Sequence, residues 1–306
     1  MSRALVAGGA GFVGGSLARR LLADGIETVV VDNLSSPSPV ALPEGVHFVE
    51  GNVIEPPPIP GRFDFVFHLA SPASPPRYLQ DPIGTLRTGA EGTRQMLDRA
   101  ARDDAVFLYA STSEIYGDPL VHPQREDYVG NVDITSPRAC YDEAKRYGES
   151  LTHAYRRSGK VPEIRVARIF NTYGPGMAPD DGRIVTNFLT QAMANEPLTV
   201  FGDGSPTRSF CYVDDLIDGL VLLADSSVTE PVNLGNPTEI TVNDFADVVA
   251  GLVGDTGRVY RDLPHGDPAR RRPDITRARQ RLGWEPKTHL RDGLRATIDY
   301  LAALDG

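Results

Sequence analysis

The chain has 306 residues, 41% hydrophobic and 24% charged, with 41 acidic against 31 basic residues and a formal net charge of −10. That length allows one large domain or two smaller ones with a sizeable core. The acidic excess argues against nucleic acid or a membrane surface as partner, because a polyanion is repelled at long range, but it leaves room for a small anion held by a few placed arginines. Two cysteines, Cys140 and Cys211, are too few for a disulfide scaffold or a structural zinc site, and six scattered histidines show no metal-ligand spacing. No apolar run approaches the roughly 18 residues of a membrane span. The chain reaches a glycine motif within a few residues of its start, leaving no space for a signal peptide. A soluble, cytoplasmic protein is expected.

In chain order, Arg3–Ala7 predicts a strand and Phe12–Ala23 a helix, followed by strands over 28–32, 46–50, 63–69, 105–110 and 163–169. Helices are expected over 82–102 and 141–157. Near-continuous Val/Ile/Leu/Phe runs suit strands buried on both faces of a parallel sheet, and strand–helix alternation predicts a doubly wound α/β fold. After about Asn171 the pattern changes to loops rich in Gly, Pro and Asp between single helices at 184–195, 214–224, 242–253 and 290–303. The expectation is a Rossmann-like parallel sheet with a smaller C-terminal α/β lobe. Residues 1–170 plus about 209–235 would form the first unit, and 171–208 plus 236–306 the second.

The segment Gly8-Gly9-Ala10-Gly11-Phe12-Val13-Gly14 lies between the first strand and first helix. Such a turn brings bare backbone close to a pyrophosphate, and the helix N-terminus supplies aligned N–H donors. Asp32 closes the second strand, where its carboxylate suits the two ribose hydroxyls of an adenosine and repels a 2′-phosphate, so NAD is expected over NADP. Tyr141 and Lys145 lie four apart on one helical face, and a nearby ammonium, with a nicotinamide cation, favours phenolate, making Tyr141 a candidate base. The strand at 105–110 runs into Ser111-Thr112-Ser113-Glu114, which puts hydroxyls at a strand's carboxyl end, where open sheets bind ligands. The cysteines read as small buried residues, and His68 as a packing residue.

Across nearly the whole chain the sequence resembles the extended short-chain dehydrogenase/reductase superfamily, and within it the UDP-glucuronate decarboxylases. The likeness rests on GGAGFVGGSL, HLASPASPPRY, ASTSEIYGDPLVHPQREDY, PRACYDEAKR, VARIFNTYGPGM, DGRIVTNF, LTVFGDGSPTRSFCYVDDL, PVNLGNP, DPARRRPDI and LGWEP. It implies that Thr112, Tyr141 and Lys145 are the catalytic hydroxyl, base and lysine. Ser113-Glu114 stands where related 4,6-dehydratases carry Asp-Glu, which argues against dehydration. Gly8, Gly11, Phe12, Val13, Gly14, Asp32, Asn33, Asn52, Val53, Leu69 and Ala70 are the implied NAD contacts, joined by Tyr141 and Lys145. Arg208 and Arg271 match ligand-binding arginines, with Arg208 at either the diphosphate or the sugar end. Asn171, Arg183 and Asn187 match the lining of a nucleotide-sugar cleft. Two departures stand out: Gly176, where arginine is expected, and Asn52, where aspartate is usual. The implied reaction converts UDP-glucuronate to UDP-xylose through a 4-keto sugar with NAD regenerated. Glu114, Arg208 or a water held by them would protonate C5. A 4-epimerase sharing the same Thr/Tyr/Lys set is the alternative, and a non-catalytic NAD-binding protein a more distant one. The resemblance also implies a homodimer through a helix bundle that includes residues 141–157.

Overall fold

The computed structural model describes residues 2–262 and 270–304. Residues 267–269, which open the DPARRRPDI segment, lie outside the described residues. Among the described residues, seven parallel strands form the central sheet: β1 (Arg3–Ala7), β2 (Glu27–Asp32), β3 (His47–Glu50), β4 (Phe65–His68), β5 (Val106–Thr112), β6 (Ile164–Ile169) and the short strand Val232–Leu234. Their order is Val232–Leu234, β6, β5, β4, β1, β2, β3. The chain builds outward from β1 to one edge, then returns to β1's other side at β4. Beyond the carboxyl ends of β1 and β4 this reversal leaves a crevice, the usual ligand site of open α/β sheets.

The apolar runs read from the sequence are divided between two cores. Ala4 and Val6 of β1 face a cluster containing Leu17, Leu21, Leu216 and Leu220, while Leu5 and Ala7 face one containing Met96, Leu97 and Ala100. Alternate side chains of a strand point to opposite faces, so both faces must be covered by helices. α1 (Phe12–Ala23) lies on the first face. The second is covered by α4 (Thr93–Asp103), which follows the short helices α2 (Pro75–Gln80) and α3 (Pro82–Arg87), and by α5 (Ala139–Arg157). The later helices are α6 (Ile184–Met193), α7 (Val213–Asp225), α8 (Val242–Val253), α9 (Thr276–Leu282) and α10 (Leu290–Leu304). α7 packs on the first face beside α1, and a third core gathers Phe188, Leu189, Phe210, Phe245, Val249 and Leu294 beneath α6, α8 and α10. No helix among the described residues is long and apolar enough to cross a membrane.

The expected helix over 82–102 is continuous but not uniform, because a π-helical turn at Thr88–Gly92 joins α3 to α4. There Gly89 lies against α5 so closely that a Cβ would stand 2.6 Å from the Cβ of Ala144 and 2.7 Å from its carbonyl oxygen. The extra residue in the turn lets the helix keep its contact with the stretch of α5 that carries Tyr141 and Lys145, a common use of such turns. The Val232–Leu234 strand is absent from the sequence expectation, since three residues show no period.

Buried between sheet and loops, Arg168 of β6 donates Nε and Nη2 to the two carboxylate oxygens of Glu149 at 3.0 and 2.9 Å, and Nη1 to the Tyr116 hydroxyl and the Glu126 carbonyl. Removing one partner of a buried pair strands the other's charge. Arg168→Met is therefore expected to lower unfolding free energy by about 3–5 kcal/mol in denaturant titration, with Arg168→Met/Glu149→Leu recovering most of the loss.

Candidate active site

β1 delivers the chain into the glycine turn at the crevice. Gly8 has φ +80°, a left-handed conformation, and a Cβ on it would lie 2.5 Å from the backbone nitrogen of Ala70 just beyond β4. A Cβ on Gly14 would lie 2.1 Å from the Gly8 carbonyl oxygen, so these two glycines lock the turn against the helix. Gly11 differs: a Cβ there meets no atom closer than 3.4 Å. It caps α1 with no side-chain hydrogen bond at that end. The first N–H groups of α1 have no acceptor inside the helix, and a helix start without a side-chain cap fits a pyrophosphate. Phe12 and Val13, half-buried in the first turn of α1, border it.

The other expected cofactor contacts cluster at neighbouring strand ends. Asp32 accepts from the backbone N–H of Ala10 at 3.0 Å and of Leu34 at 2.8 Å, one bond to each oxygen, which fixes the carboxylate and leaves each oxygen further acceptor capacity. Asn33 is exposed beside it. Asn52 folds back to accept from the Ile54 N–H at 3.0 Å, and Val53 is buried against Gly92. Leu69 continues β4 by donating its N–H to the Ala7 carbonyl, with Ala70 against Gly8. Gly176 occupies a left-handed backbone position, φ +98°, and accepts a hydrogen bond from Ser38 Oγ. A Cβ there would come within 3.3 Å of the Phe12 ring, so the loop after β2 is tied directly to the glycine turn's rim.

Thr112 ends β5, and its hydroxyl accepts from the Glu114 N–H at 3.2 Å. Across from it, α5 presents Tyr141 and Lys145, both buried. Lys145 donates to the Ala110 carbonyl at 2.8 Å, and its Nζ lies 5.9 Å from the centre of the Tyr141 ring. The other face of Tyr141 stacks on Tyr78 of α2, centroids 5.1 Å apart and planes 10° from parallel. Burial outweighs the Thr112 hydroxyl and the Arg183 charge, which act to lower the Tyr141 phenol. Burial pushes it up to about 12 despite the neighbouring Thr112 hydroxyl, and burial brings the Lys145 ammonium down to about 7 against the pull of Glu149. The expectation that Lys145 together with a nicotinamide cation favours phenolate concerns the loaded site; with the protein's own groups alone, desolvation dominates both side chains.

Glu114 is the most strongly held charge in the site. Arg138 donates Nη2 to its Oε2 at 2.9 Å, and Arg271 donates Nη1 to its Oε1. Burial alone would raise this carboxyl, but the two guanidiniums outweigh burial and hold it below the usual glutamate range. Arg271, only 4% exposed, is therefore committed to Glu114 and also donates to the Gly117 carbonyl. Arg183 precedes α6, where it pairs with Asp181 and lies near enough to Tyr141 to act on its charge. Asn187, one turn on, donates to the Gly182 carbonyl, and the Asn171 carbonyl accepts from the Cys211 N–H. Arg208 lies on the short strand Thr207–Arg208, half-buried, with Nη1 donating to the Thr207 carbonyl. Thr207 bridges to Arg270, which brings Arg208 beside the segment carrying Arg271.

The structure thus gathers Thr112, Glu114, Tyr141, Lys145, Arg183 and Arg271 at one end of the sheet and sets Gly8–Gly14, Asp32 and Ala70 alongside. Tyr78, Arg138 and Asp142 belong to the same cluster and were not singled out in the sequence, although they fall within the segments SPASPPRY and PRACYDEAKR. Both cysteines are buried, with thiols raised by burial. His68 is buried against Phe107 and Tyr109, pairs with the Thr93 hydroxyl, and is pushed by burial to about 3, a neutral packing group.

A family model described as the NAD dependent epimerase/dehydratase family matches residues 4–235. The chain belongs to this family. UDP-glucuronic acid decarboxylase 1 of Danio rerio is 49% identical over 307 residues, covering 98% of this chain and 72% of that relative. Among solved structures, UDP-glucose 4-epimerase of Thermotoga maritima superposes with a TM-score of 0.91 at 29% identity, covering 99% of this chain and 100% of its own. UDP-glucuronic acid 4-epimerase of Bacillus cereus, solved with UDP-glucuronic acid and NAD, has a TM-score of 0.86 at 27% identity, covering 99% of each chain.

The two glycine roles make separable predictions. Gly14→Ala, whose new methyl meets backbone, should lower the melting temperature and abolish cofactor binding together. Gly11→Ala, whose methyl would make only ordinary van der Waals contacts within the protein, should melt within a few degrees of the parent while weakening dinucleotide affinity by about tenfold or more in calorimetry.

Proposed function

We propose that the protein is a UDP-glucuronate decarboxylase that forms UDP-xylose and CO₂ with NAD as its resident cofactor. The observation that carries this is the pairing of the Thr112–Tyr141–Lys145 group with Glu114 fixed by Arg138 and Arg271, in a chain 49% identical to a UDP-glucuronic acid decarboxylase. The 4-epimerases with the same fold are 27–29% identical, which favours the decarboxylase reading.

The open cradle at Gly11, with Gly8 and Gly14 shaping it, suits the cofactor's pyrophosphate, with Phe12 and Val13 at its rim. Asp32 suits the adenosine ribose, with Asn33, Asn52 and Val53 toward the adenine and Leu69 and Ala70 on the inner side. NAD⁺ held there would supply a reversible hydride acceptor for the sugar's C4 hydrogen. Tyr141 takes the proton of the sugar 4-hydroxyl and later gives it back, and Lys145 sets its charge. Thr112 donates a hydrogen bond to the same oxygen. With C4 at the ketone level the C6 carboxylate lies β to a carbonyl, so the C5–C6 pair flows toward O4 as CO₂ departs. Thr112 and Tyr141 then stabilise that oxygen as preorganised donors. Arg208, Asn171, Arg183 and Asn187 would line the nucleotide-sugar side, where an arginine fork suits a diphosphate, while Arg271 acts there through its hold on Glu114.

The reading assigns residues 1–170 with 209–235 to the cofactor and 171–208 with 236–306 to the nucleotide sugar. It is supported by Val232–Leu234 joining the main sheet while α6, α8 and α10 share the third core. It also includes a homodimer. On α2, α3 and α5, Leu79, Ile83, Leu86 and Tyr147 are exposed, Ile83 by 71%, an apolar face of the kind a second copy would cover.

Incubation with UDP-glucuronate should give CO₂ and UDP-xylose by mass spectrometry. In D₂O the product should carry one solvent deuteron at C5 and none at C4. UDP-galacturonate without CO₂ would overturn this reading in favour of epimerisation. Tyr141→Phe keeps the ring and its stacking on Tyr78, so melting and NAD affinity should hold while kcat falls about 10²–10⁴-fold. Near-native turnover would remove Tyr141 as the base.

A further inference from the structure

The strand that carries Arg208 is two residues long. It pairs antiparallel with the equally short strand Ile240–Thr241, Ile240 opposite Arg208 and Thr241 opposite Thr207. Two-stranded pairing without further support is marginal in water, and an arginine side chain has much rotamer freedom to lose. Backbone pairing by itself is therefore too little to hold the Arg208 fork in one direction.

The support comes from Glu239, half-buried immediately before Ile240. Its Oε1 accepts from the Thr207 hydroxyl at 2.6 Å, the length of a charge-assisted O–H···O⁻ bond. Its Oε2 pairs at 2.9 Å with Nε2 of His122 from the loop after β5, and Arg272 Nη1 lies 3.7 Å from the same oxygen. Burial alone would raise this carboxyl, but its hydrogen-bond partners and the Arg272 charge hold it below the usual glutamate range. Thr207 connects directly to the arginine, because its carbonyl accepts from Arg208 Nη1 at 2.9 Å. On either side the strand is tied again: the Val242 N–H at the start of α8 donates to the Pro206 carbonyl at 3.0 Å, and Ser209 Oγ donates to the Arg271 carbonyl at 3.3 Å. The carboxylate thus reaches the guanidinium through one residue. Glu239 fixes the Thr207 side chain, and Thr207 fixes one arm of the Arg208 fork.

We infer that Glu239 is a positioning residue for Arg208, holding through Thr207 the direction in which that guanidinium meets the nucleotide sugar. This rests on the place given to Arg208 in the decarboxylase reading. Glu239 takes part in no bond-making step and is not a catalytic residue. Its contribution is to order the fork before the substrate arrives, so that less side-chain freedom is lost on binding. A displacement of the fork by about an ångström would be felt at the reacting centre.

The test is a double-mutant cycle on the full-length protein with NAD⁺ and UDP-glucuronate, using Glu239→Ala, Arg208→Ala and the pair. Glu239→Ala should lower kcat/KM at least about tenfold, as for loss of a charge-assisted hydrogen bond, while NAD⁺ affinity stays within about twofold and melting within a few degrees. The loss should fall on the same parameter, kcat or KM, as the loss in Arg208→Ala. In the Arg208→Ala background the same change should cost less than about twofold more, because the fork it positions is gone. Losses that simply multiply would make Glu239 mere support for the fold and overturn the inference, as would an unchanged kcat/KM in either single variant. If Glu239→Ala does not fold, Thr207→Val replaces it in the cycle with the same expectation, since it severs the same link and keeps a branched side chain suited to a strand. Failure of both to fold would make the contact structural and overturn the inference. A parent that gives UDP-galacturonate without CO₂ would overturn the decarboxylase reading, while the cycle on that turnover still decides the role of Glu239. A parent with no turnover would overturn both.

Discussion

The Glu114 carboxylate is half-buried at the mouth of the sheet, and it stays charged there because Arg138 and Arg271 reach it from separate parts of the chain. Taking three charges out of water costs several kcal/mol per ion unless each is answered by close, hydrogen-bonded partners. The folded chain therefore has to bring the end of β5, the entrance of α5 and the C-terminal segment into one place. Around that cluster the backbone is equally constrained. Gly117 adopts φ +62° with the Asn131 carbonyl so near that a Cβ would be 2.0 Å away, and the Gly117 carbonyl also receives Arg271. Gln124 accepts from the Arg272 N–H, and Asn233 donates to the Gln124 and Asp274 carbonyls, joining the loop after β5, the edge strand and the C-terminal segment. The active cluster and the closure of the C-terminal segment over the sheet are thus a single set of contacts.

Burial also decides the protonation states at the reaction centre. With the Tyr141 phenol pushed up to about 12 and the Lys145 amine down to about 7, the dry site favours the neutral form of each. Such a centre resists charge until a charged ligand shares its low-dielectric space, where each new charge acts more strongly than in water. The stacking of Tyr78 on Tyr141 and the contact of Gly89 with Ala144 hold the base in one orientation while this happens. Preorganisation of this kind is what lets a small number of polar groups act on a transition state.

The overall acidity of the protein says little about its site. A chain of net charge −10 still brings Arg138 and Arg271 onto Glu114 and Arg183 close to Tyr141. Of these, Arg271 is spent on Glu114 and Arg183 on Asp181. Carboxylates thus orient these guanidiniums and fix their geometry.

The parts of this protein legible in its sequence are those written in neighbouring residues. The apolar runs that became β1 to β6, the glycine spacing before α1, Asp32 at the end of β2 and the four-residue step from Tyr141 to Lys145 depend on local periodicity and backbone permissiveness, which a linear pattern records. The strand Val232–Leu234 left no such mark, since its place was set by the open edge of β6 and not by three residues of its own. The π-helical turn arose from a contact between Gly89 and a helix some 55 positions later (89 to 144). Arg138, Tyr78 and Asp142 lay unremarked within motifs whose neighbours drew the attention, because a buried carboxyl, a stacked ring and an ion pair acquire their properties from what surrounds them. The desolvation of Tyr141 and Lys145 was not legible for the same reason: spacing places two groups on one helical face, but only the packed interior sets how much water they keep.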